Sequence, residues 1–468
     1  MRKINLRILL NTLSAEVLAG ADALHSGEPL ILSGVSIDSR EDQRGKLFFA
    51  LRGERADGHD YVMDALLQGA LAAVVDARAF ADHPARARIL EYAGRHTRII
   101  IAACDARRAL GDMAAIALAA WRVPVIAVTG SSGKTTTRNI LYTLLSARFA
   151  VRNAAKNYNN DIGVPLTIFS LEDNDEMLLL EMGMNHVGEL SRLAEIARPV
   201  LVIITNIGTA HIENFGSREA IARAKKEALS YFDANCAAVL NRDDPYFDFL
   251  RAEVPGTIIP FGAIPEGFTV ARDRGLDGYM LGCAGGEVSF ALGGAHNLMN
   301  LSAAAAAADK LGLAKSVIAG RISYIRAVES RSQVVGGRVA IINDCYNANP
   351  ESMRAGLTLL ASVRGSRRIA VLADMLELGG DSARIHGELG AWISGEEVCD
   401  EFVAIGPAMA GCASEARARG FCAERLHIFP SCGEAKSWLP GFVRAGDTVF
   451  LKGSHAMRLE EMLPLLES

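Results

Sequence analysis

The stretch Val125-Ile126-Ala127-Val128-Thr129-Gly130-Ser131-Ser132-Gly133-Lys134-Thr135-Thr136 decides the fold. Its first four residues are apolar without alternation, the pattern of a strand buried on both faces, and a helix is predicted from about Lys134. Between them, glycines let the backbone fold tightly so that its N–H groups point inward at a phosphate. The helix N-terminus adds the positive end of its dipole. Lys134 is placed to reach outer phosphates and the Thr135 hydroxyl to ligate Mg²⁺. The strict phosphate-loop pattern asks for a further glycine where Val128 stands, so this is a shortened variant. The bland alternative is a Gly/Ser-rich turn with a solvated lysine; placement between a buried strand and a helix favours nucleotide binding. No G-x-G-x-x-G occurs, which favours a mononucleotide triphosphate over NAD.

Working outward, Met177-Leu178-Leu179-Leu180, residues 200–205 and residues 237–240 are further apolar runs separated by helical stretches. The middle of the chain therefore reads as a parallel sheet covered on both faces. Upstream, strands are predicted at 47–51 and 72–75, an amphipathic helix at 60–69 and a helix at 106–121, with Pro124 opening the next unit. Downstream, strands at 339–342, 369–372, 402–405 and 448–451 alternate with helices at 351–362 and 384–393. The alanine run 303–308 fits a tightly packed helix. A length of 468 residues, at about 150 per domain, suggests three α/β units, divided as 1–104, 105–327 and 328–468.

Composition narrows the function classes. With 50% hydrophobic and 22% charged residues the chain can bury an ample core without disulfides or metals. A net charge of −5 without blocks of like charge argues against a nucleic-acid arm or a polybasic membrane patch. Eight dispersed cysteines form no C-x-x-C pair. Arg7 and Asn11 break the N-terminal apolar stretch, and no apolar run approaches the roughly 20 residues of a membrane helix, so a cytoplasmic location is expected.

Two polar residues should stand near Thr135 at the carboxyl ends of apolar strands, where ligands bind in open α/β sheets: Glu181 and His211. A carboxylate, a hydroxyl and phosphate oxygens suit Mg²⁺, with His211 on a second metal or an outer-shell water. Lys225 and Lys226 fall on a helix predicted over 217–230 and, read alone, are solvated helix lysines. The run Asn241-Arg242-Asp243-Asp244-Pro245 either accepts hydrogen bonds from a base or ribose, or caps the helix that follows.

Six segments in order resemble the Mur ligase family of ATP-dependent amide-bond-forming enzymes, over nearly the whole chain. They are Asp38-Ser39-Arg40 with Gly45-Lys46-Leu47-Phe48-Phe49-Ala50-Leu51-Arg52-Gly53 and Asp57-Gly58-His59; the phosphate loop; Asn157-Tyr158-Asn159-Asn160-Asp161-Ile162-Gly163-Val164-Pro165; Glu181-Met182-Gly183-Met184-Asn185-His186 and Thr205-Asn206-Ile207-Gly208-Thr209-Ala210-His211; His296-Asn297-Leu298-Met299-Asn300; and Asp344-Cys345-Tyr346-Asn347-Ala348-Asn349-Pro350. The resemblance implies a small α/β UDP-binding domain, a central mononucleotide-binding parallel-sheet ATPase domain and a C-terminal Rossmann-like α/β domain.

It further implies a monomeric ligase of peptidoglycan precursor synthesis. Its substrates would be UDP-N-acetylmuramoyl-tripeptide and D-alanyl-D-alanine, joined through an acyl phosphate. By resemblance, Gly130, Ser131, Ser132, Gly133, Lys134, Thr135 and Thr136 hold ATP, and Asn297, Asn300, Arg331 and Asp344 contact the nucleotide. Thr135 and Glu181 hold one Mg²⁺, His211 serves a second, and Lys225 matches the family's carbamylated lysine. Ser39 and Arg40 are expected near the UDP moiety, Asn159 and Asn160 near the sugar-peptide. Lys134, Lys225 and His211 are the catalytic candidates. Ala373 and His455 depart from the family pattern. Two readings compete: another Mur-type or folylpolyglutamate-type ligase, and a nucleotide-binding relative that has lost catalysis.

Overall fold

Residues 125–128 alternate in what they bury. Ile126 and Val128 face one side of a sheet, while Val125 and Ala127 face the other. Both sides are apolar, so the strand Val125–Thr129 has no solvent face and helices must cover both. The computed structural model, which describes residues 2–11, 13–154 and 157–467, shows how this is done. Strands Thr257–Phe261, Ala237–Asn241, Leu201–Ile204, Val125–Thr129, Met177–Glu181 and Val151–Asn153 lie side by side in that order, all parallel. Helices Lys134–Leu145 and Ala295–Lys310 cover the Ile126 and Val128 side through Leu141, Leu144, Leu301 and Ala304. On the other side Met113 and Ala117 of helix Ala106–Trp121 and Leu190 and Leu193 of helix Glu189–Ala197 pack against Ala127 and Leu180. The alanine run 303–308 lies within Ala295–Lys310, and its small side chains let that helix pack beside Lys134–Leu145.

Two further sheets flank this one. Ala15–Ala19, Ile99–Ala103, Ala72–Asp76, Lys46–Phe49 and Gly34–Ser36 form a five-stranded sheet in which only the first strand is antiparallel to its neighbour. Gln333–Val335, Ala340–Asn343, Thr448–Lys452, Arg368–Ala373, Glu401–Ile405 and Leu426–Phe429 form a six-stranded sheet, again with an antiparallel first strand.

The structure departs from expectation in several places. The helix expected over 60–69 is a 3₁₀ turn, Gly58–Tyr61, followed by a short helix, Val62–Leu67. The Asp57 carboxylate accepts from the His59 N–H at 3.0 Å and tightens that first turn. The helix expected over 217–230 runs from Arg218 to Lys226 and ends in a 3₁₀ turn, Glu227–Leu229. A three-stranded antiparallel sheet of Thr269–Asp273, Tyr279–Cys283 and Gly286–Phe290 has no counterpart in the sequence reading. Its first strand is exposed along its whole length, so it carries no hydrophobic period to read. Among the described residues no helix is long and apolar enough to cross a membrane.

Candidate active site

Strand register builds the site. Glu181 lies opposite Val128 on one neighbouring strand and Ile204 opposite Thr129 on the other, so Glu181 and the segment after Ile204 flank the loop that leaves Thr129. Gly130 and Gly133 have φ of 147° and 77°, which glycine alone adopts freely. A Cβ at Gly130 would collide with Thr205 Oγ1, and one at Gly133 with Asn300 Oδ1. The loop is thus bare because its neighbours close on it.

The polar groups converge here. Lys134 Nζ donates to the Gly130 carbonyl at 2.9 Å. Burial lowers its ammonium pKa, opposed by the Glu181 charge and reinforced by Arg331. Thr135 Oγ1 donates to Glu181 Oε2 at 2.8 Å, and Asn159 Nδ2 to Glu181 Oε1 at 3.1 Å. Burial alone would raise the Glu181 carboxyl, but Lys134, Arg138, the Thr135 hydroxyl and Arg331 outweigh it and hold it below the usual range. On the far side of the loop, Asn206 Oδ1 accepts from the Ser132 N–H at 3.0 Å and Gly208 N donates to Ser131 Oγ at 2.8 Å.

Lys225 is buried near the end of its helix. Among the described residues its Nζ has neither a hydrogen-bond nor an ion-pair partner. Burial, and then the charge of Lys134, push its ammonium well below the ordinary lysine value. The reading of Lys225 as a solvated helix lysine therefore fails. Lys226 fits it better, its Nζ capping the carbonyls of Phe249 and Ala252 at the surface. His211, at φ 62°, stands with Nδ1 2.7 Å from Glu377 Oε2 and holds that carboxyl below its usual range.

Groups from the C-terminal sheet complete the enclosure. The Arg331 guanidinium lies 3.7 Å from the centroid of the Tyr346 ring. Asp344 accepts from buried Lys452 Nζ at 2.5 Å and from the Ser332 N–H at 2.9 Å. Asn300 accepts from Thr137 Oγ1 at 3.2 Å and donates to Asn297 at 3.3 Å, tying the helix Ala295–Lys310 to the phosphate-loop helix.

One cavity of about 630 Å³ is lined by Ser131, Ser132, Gly133, Lys134, Thr136, Asn159, Asn160, Glu181, His211, Lys225, Asn297, Asn300, Arg331 and Asp344. Gly130 and Thr135 stand directly behind it through their bonds to Lys134 and Glu181. Ser39 and Arg40 do not line it; Arg40 is exposed and paired with Asp38 at 2.6 Å. Asp244 stands at the entry to helix Phe247–Arg251, as the capping alternative for its segment has it. Its carboxylate accepts from the Ile207 N–H at 2.7 Å and from the Tyr246 N–H at 2.9 Å, joining two loops.

Sequence reasoning passed over Arg138, whose Nη1 is 3.9 Å from Glu181 Oε2, although its place four residues after Lys134 on one helix face was a signal. It also gave no role to Lys452, whose partner Asp344 is distant in sequence. Among the described residues no cluster of three His, Cys, Asp or Glu offers an all-protein metal cage. The oxygen pair of Thr135 and Glu181, beside a loop of inward N–H groups, does suit a hard cation that shares phosphate oxygens.

The geometry defines an α/β core with a glycine-rich loop between a buried strand and a helix, closed over by the C-terminal unit. Family models agree: residues 128–308 match the Mur ligase middle domain, 330–455 the Mur ligase glutamate ligase domain, and 31–116 the Mur ligase family catalytic domain. The chain belongs to the Mur ligase family.

Among similar proteins is the UDP-N-acetylmuramoyl-tripeptide–D-alanyl-D-alanine ligase of Treponema pallidum, 33% identical over 92% of this chain and 93% of that one. The Bacillus subtilis protein of the same name is 32% identical over 97% of each. A crystal structure of MurF from Acinetobacter baumannii superposes with a TM-score of 0.85 at 27% identity, covering 100% of this chain and 99% of that one. MurF ligase from Thermotoga maritima in complex with ADP gives 0.76 at 28% identity, covering 93% and 97%.

Proposed function

We propose that this chain is an ATP-dependent ligase that joins D-alanyl-D-alanine to UDP-N-acetylmuramoyl-tripeptide in peptidoglycan precursor synthesis, acting in the cytoplasm as a monomer. The observation that carries it is one cavity in which Lys134 and Glu181 of the phosphate-loop region meet Arg331 and Asp344 of the C-terminal sheet. Its full-length relatives share that named activity. The division of labour follows residues 1–104 for the UDP end of the substrate, 105–327 for ATP and 328–468 for closure.

The reaction has two steps. The terminal carboxylate of the tripeptide attacks the γ-phosphorus of ATP; a P–O bond to ADP breaks and an acyl phosphate forms. The dipeptide amine then attacks the acyl carbon, phosphate leaves, and the amide forms with loss of a proton. A carboxylate approaching a triphosphate meets strong repulsion, which Lys134 and Arg331 offset while the loop from Gly130 to Thr136 orients the phosphates. Thr135 and Glu181 would hold one Mg²⁺ and His211 a second, supplying further neutralisation of the charge that develops on the phosphoryl oxygens.

Lys225 suits carbamylation: its amine is buried, unpaired and driven toward the neutral, nucleophilic form, so it can add carbon dioxide and release a proton, and the carbamate would place an anion beside Lys134. Asn297, Asn300 and Asp344 hold the nucleoside end. Asn159 and Asn160 meet the sugar-peptide, and Ser39 and Arg40 the uridine diphosphate. The C-terminal sheet excludes water, which would otherwise hydrolyse the acyl phosphate.

The test is phosphate release from ATP with the tripeptide substrate, with and without D-alanyl-D-alanine, followed by mass spectrometry. Release that requires both, with a product heavier by the dipeptide, is expected. A chain that binds ATP but turns over neither the lysine nor the diaminopimelate tripeptide belongs instead with a sister ligase or a non-catalytic relative.

A further inference from the structure

The segment after strand Leu201–Ile204 is bonded on two sides. Toward the phosphate loop, the Asn206 carbonyl accepts from the Ser131 N–H at 3.1 Å, its side-chain oxygen from the Ser132 N–H at 3.0 Å, and Gly208 N donates to Ser131 Oγ at 2.8 Å. Ile207 is held within the central unit, its N–H by Asp244 and its carbonyl by Arg218 at 2.8 Å. Gly208 and Thr209 then turn to the C-terminal sheet and its helices. Glu351 Oε1 accepts from the Thr209 N–H at 2.9 Å and from Thr209 Oγ1 at 3.1 Å. Its carboxylate also fills the space beside Gly208, where a Cβ would lie 2.7 Å from Glu351 Cδ.

Glu351 is delivered from a fixed position. It is the second residue of helix Pro350–Ala361, which starts on a proline and is locked by a reciprocal cap: the Ser352 N–H donates to Asn349 Oδ1 at 2.8 Å and the Asn349 N–H to Ser352 Oγ at 3.1 Å. A carboxylate accepting from a backbone N–H and a hydroxyl makes charge-assisted bonds stronger than neutral ones. Two residues, Thr209 and Gly208, therefore separate a side chain of the C-terminal unit from the Ser131 hydroxyl of the phosphate loop.

We infer that Glu351 is a positioning residue that holds the phosphate loop through Thr209 and Gly208, so that docking of the C-terminal unit sets the order of the loop. Its consequence for nucleotide affinity rests on the reading of that loop as an ATP site. Loss of the Glu351 carboxylate frees Gly208 and Thr209, Ser131 Oγ loses a fixed donor, and the Ser131 and Ser132 amides lose the order that this bond imposes on their loop. A role confined to holding the two units together would leave those amides alone.

The test uses the full chain as Glu351→Ala, Glu351→Gln, Gly208→Ala and the double variant Gly208→Ala/Glu351→Ala. Amide hydrogen exchange is followed over residues 129–135 without nucleotide, and ADP affinity with Mg²⁺ is followed by calorimetry. Glu351→Ala and Gly208→Ala should each speed exchange there by about tenfold and weaken ADP by about tenfold, with strand Arg368–Ala373 unchanged. Glu351→Gln, which keeps an acceptor oxygen, should stay within about threefold. The double variant should be no worse than either single, since the Cβ then has nothing to displace.

Wild-type exchange over 129–135 in both Glu351→Ala and Gly208→Ala, or additive losses in the double variant, would overturn the inference. An intact exchange difference in a chain whose wild type binds no ADP would support the positioning role while refuting the nucleotide reading.

Discussion

Thr135 Oγ1 and Glu181 Oε2 are hydrogen-bonded at 2.8 Å, joining the first turn of the phosphate-loop helix to the last residue of the neighbouring strand. Both groups are buried, and each offers an oxygen to the same point. Thr135→Val should therefore raise the Mg²⁺ concentration for half-maximal ligation by at least about tenfold, the loss typical even of groups one shell removed from a metal. Titrating activity against Mg²⁺ at saturating ATP checks it, and an unchanged midpoint removes Thr135 from the metal site.

Lys134 Nζ donates to the Gly130 carbonyl at 2.9 Å, which holds its charge against the phosphate loop. Lys134→Ala should lower kcat on the order of 10²-fold or more, with ATP binding far less affected, because its charge matters most in the transition state. Steady-state kinetics beside ADP calorimetry separate the two quantities.

Lys225 has no charge partner among the described residues and a suppressed pKa, so as a bare amine it adds nothing to a Mg²⁺ site. Lys225→Ala should be poorly active and partly restored by added short carboxylates, which replace a carbamate in charge and shape. Full activity without any additive would remove the carbamate from the mechanism.

The buried end of Asp447 accepts from Arg367 at 2.6 Å and from the Arg444 N–H at 2.7 Å. Burial raises its carboxyl, but Arg367 and Arg444 outweigh that and leave it lowered. A lowered folded pKa gives stability that is present above the ordinary carboxylate value and lost as pH falls through the folded one. Asp447→Asn should shift the urea midpoint of the C-terminal unit downward at pH 7, with a cost of about 1 kcal/mol, because Arg367 loses this partner but keeps Glu401 at 3.4 Å. The gap from wild type should close on acidification below pH 4, and a gap that widens there would reverse the sign of the assignment.

The helix Ala106–Trp121 and the parallel strands at the centre were legible from period and run length, since a strand without a polar face has few other readings. The phosphate loop was legible because glycine spacing, a preceding strand and a following helix occur within twelve residues. The antiparallel sheet at Thr269–Asp273 was not, because its first strand is exposed and its pairing partners supply the order that its own side chains do not.

By itself the sequence determined three α/β units, the phosphate loop and the candidates Glu181, His211 and Lys225, all of which are local patterns or strand ends. Only the tertiary structure decided what those residues face. Burial turned Lys225 from a helix lysine into an unpaired amine, register set Glu181 against Thr135, and the fold of the C-terminal unit brought Glu377 to His211, Glu351 to Thr209 and Lys452 to Asp344. The physical reason is that burial and pairing between residues more than a hundred positions apart depend on how strands order and domains dock, and no periodicity along the chain encodes a charge's partner across it.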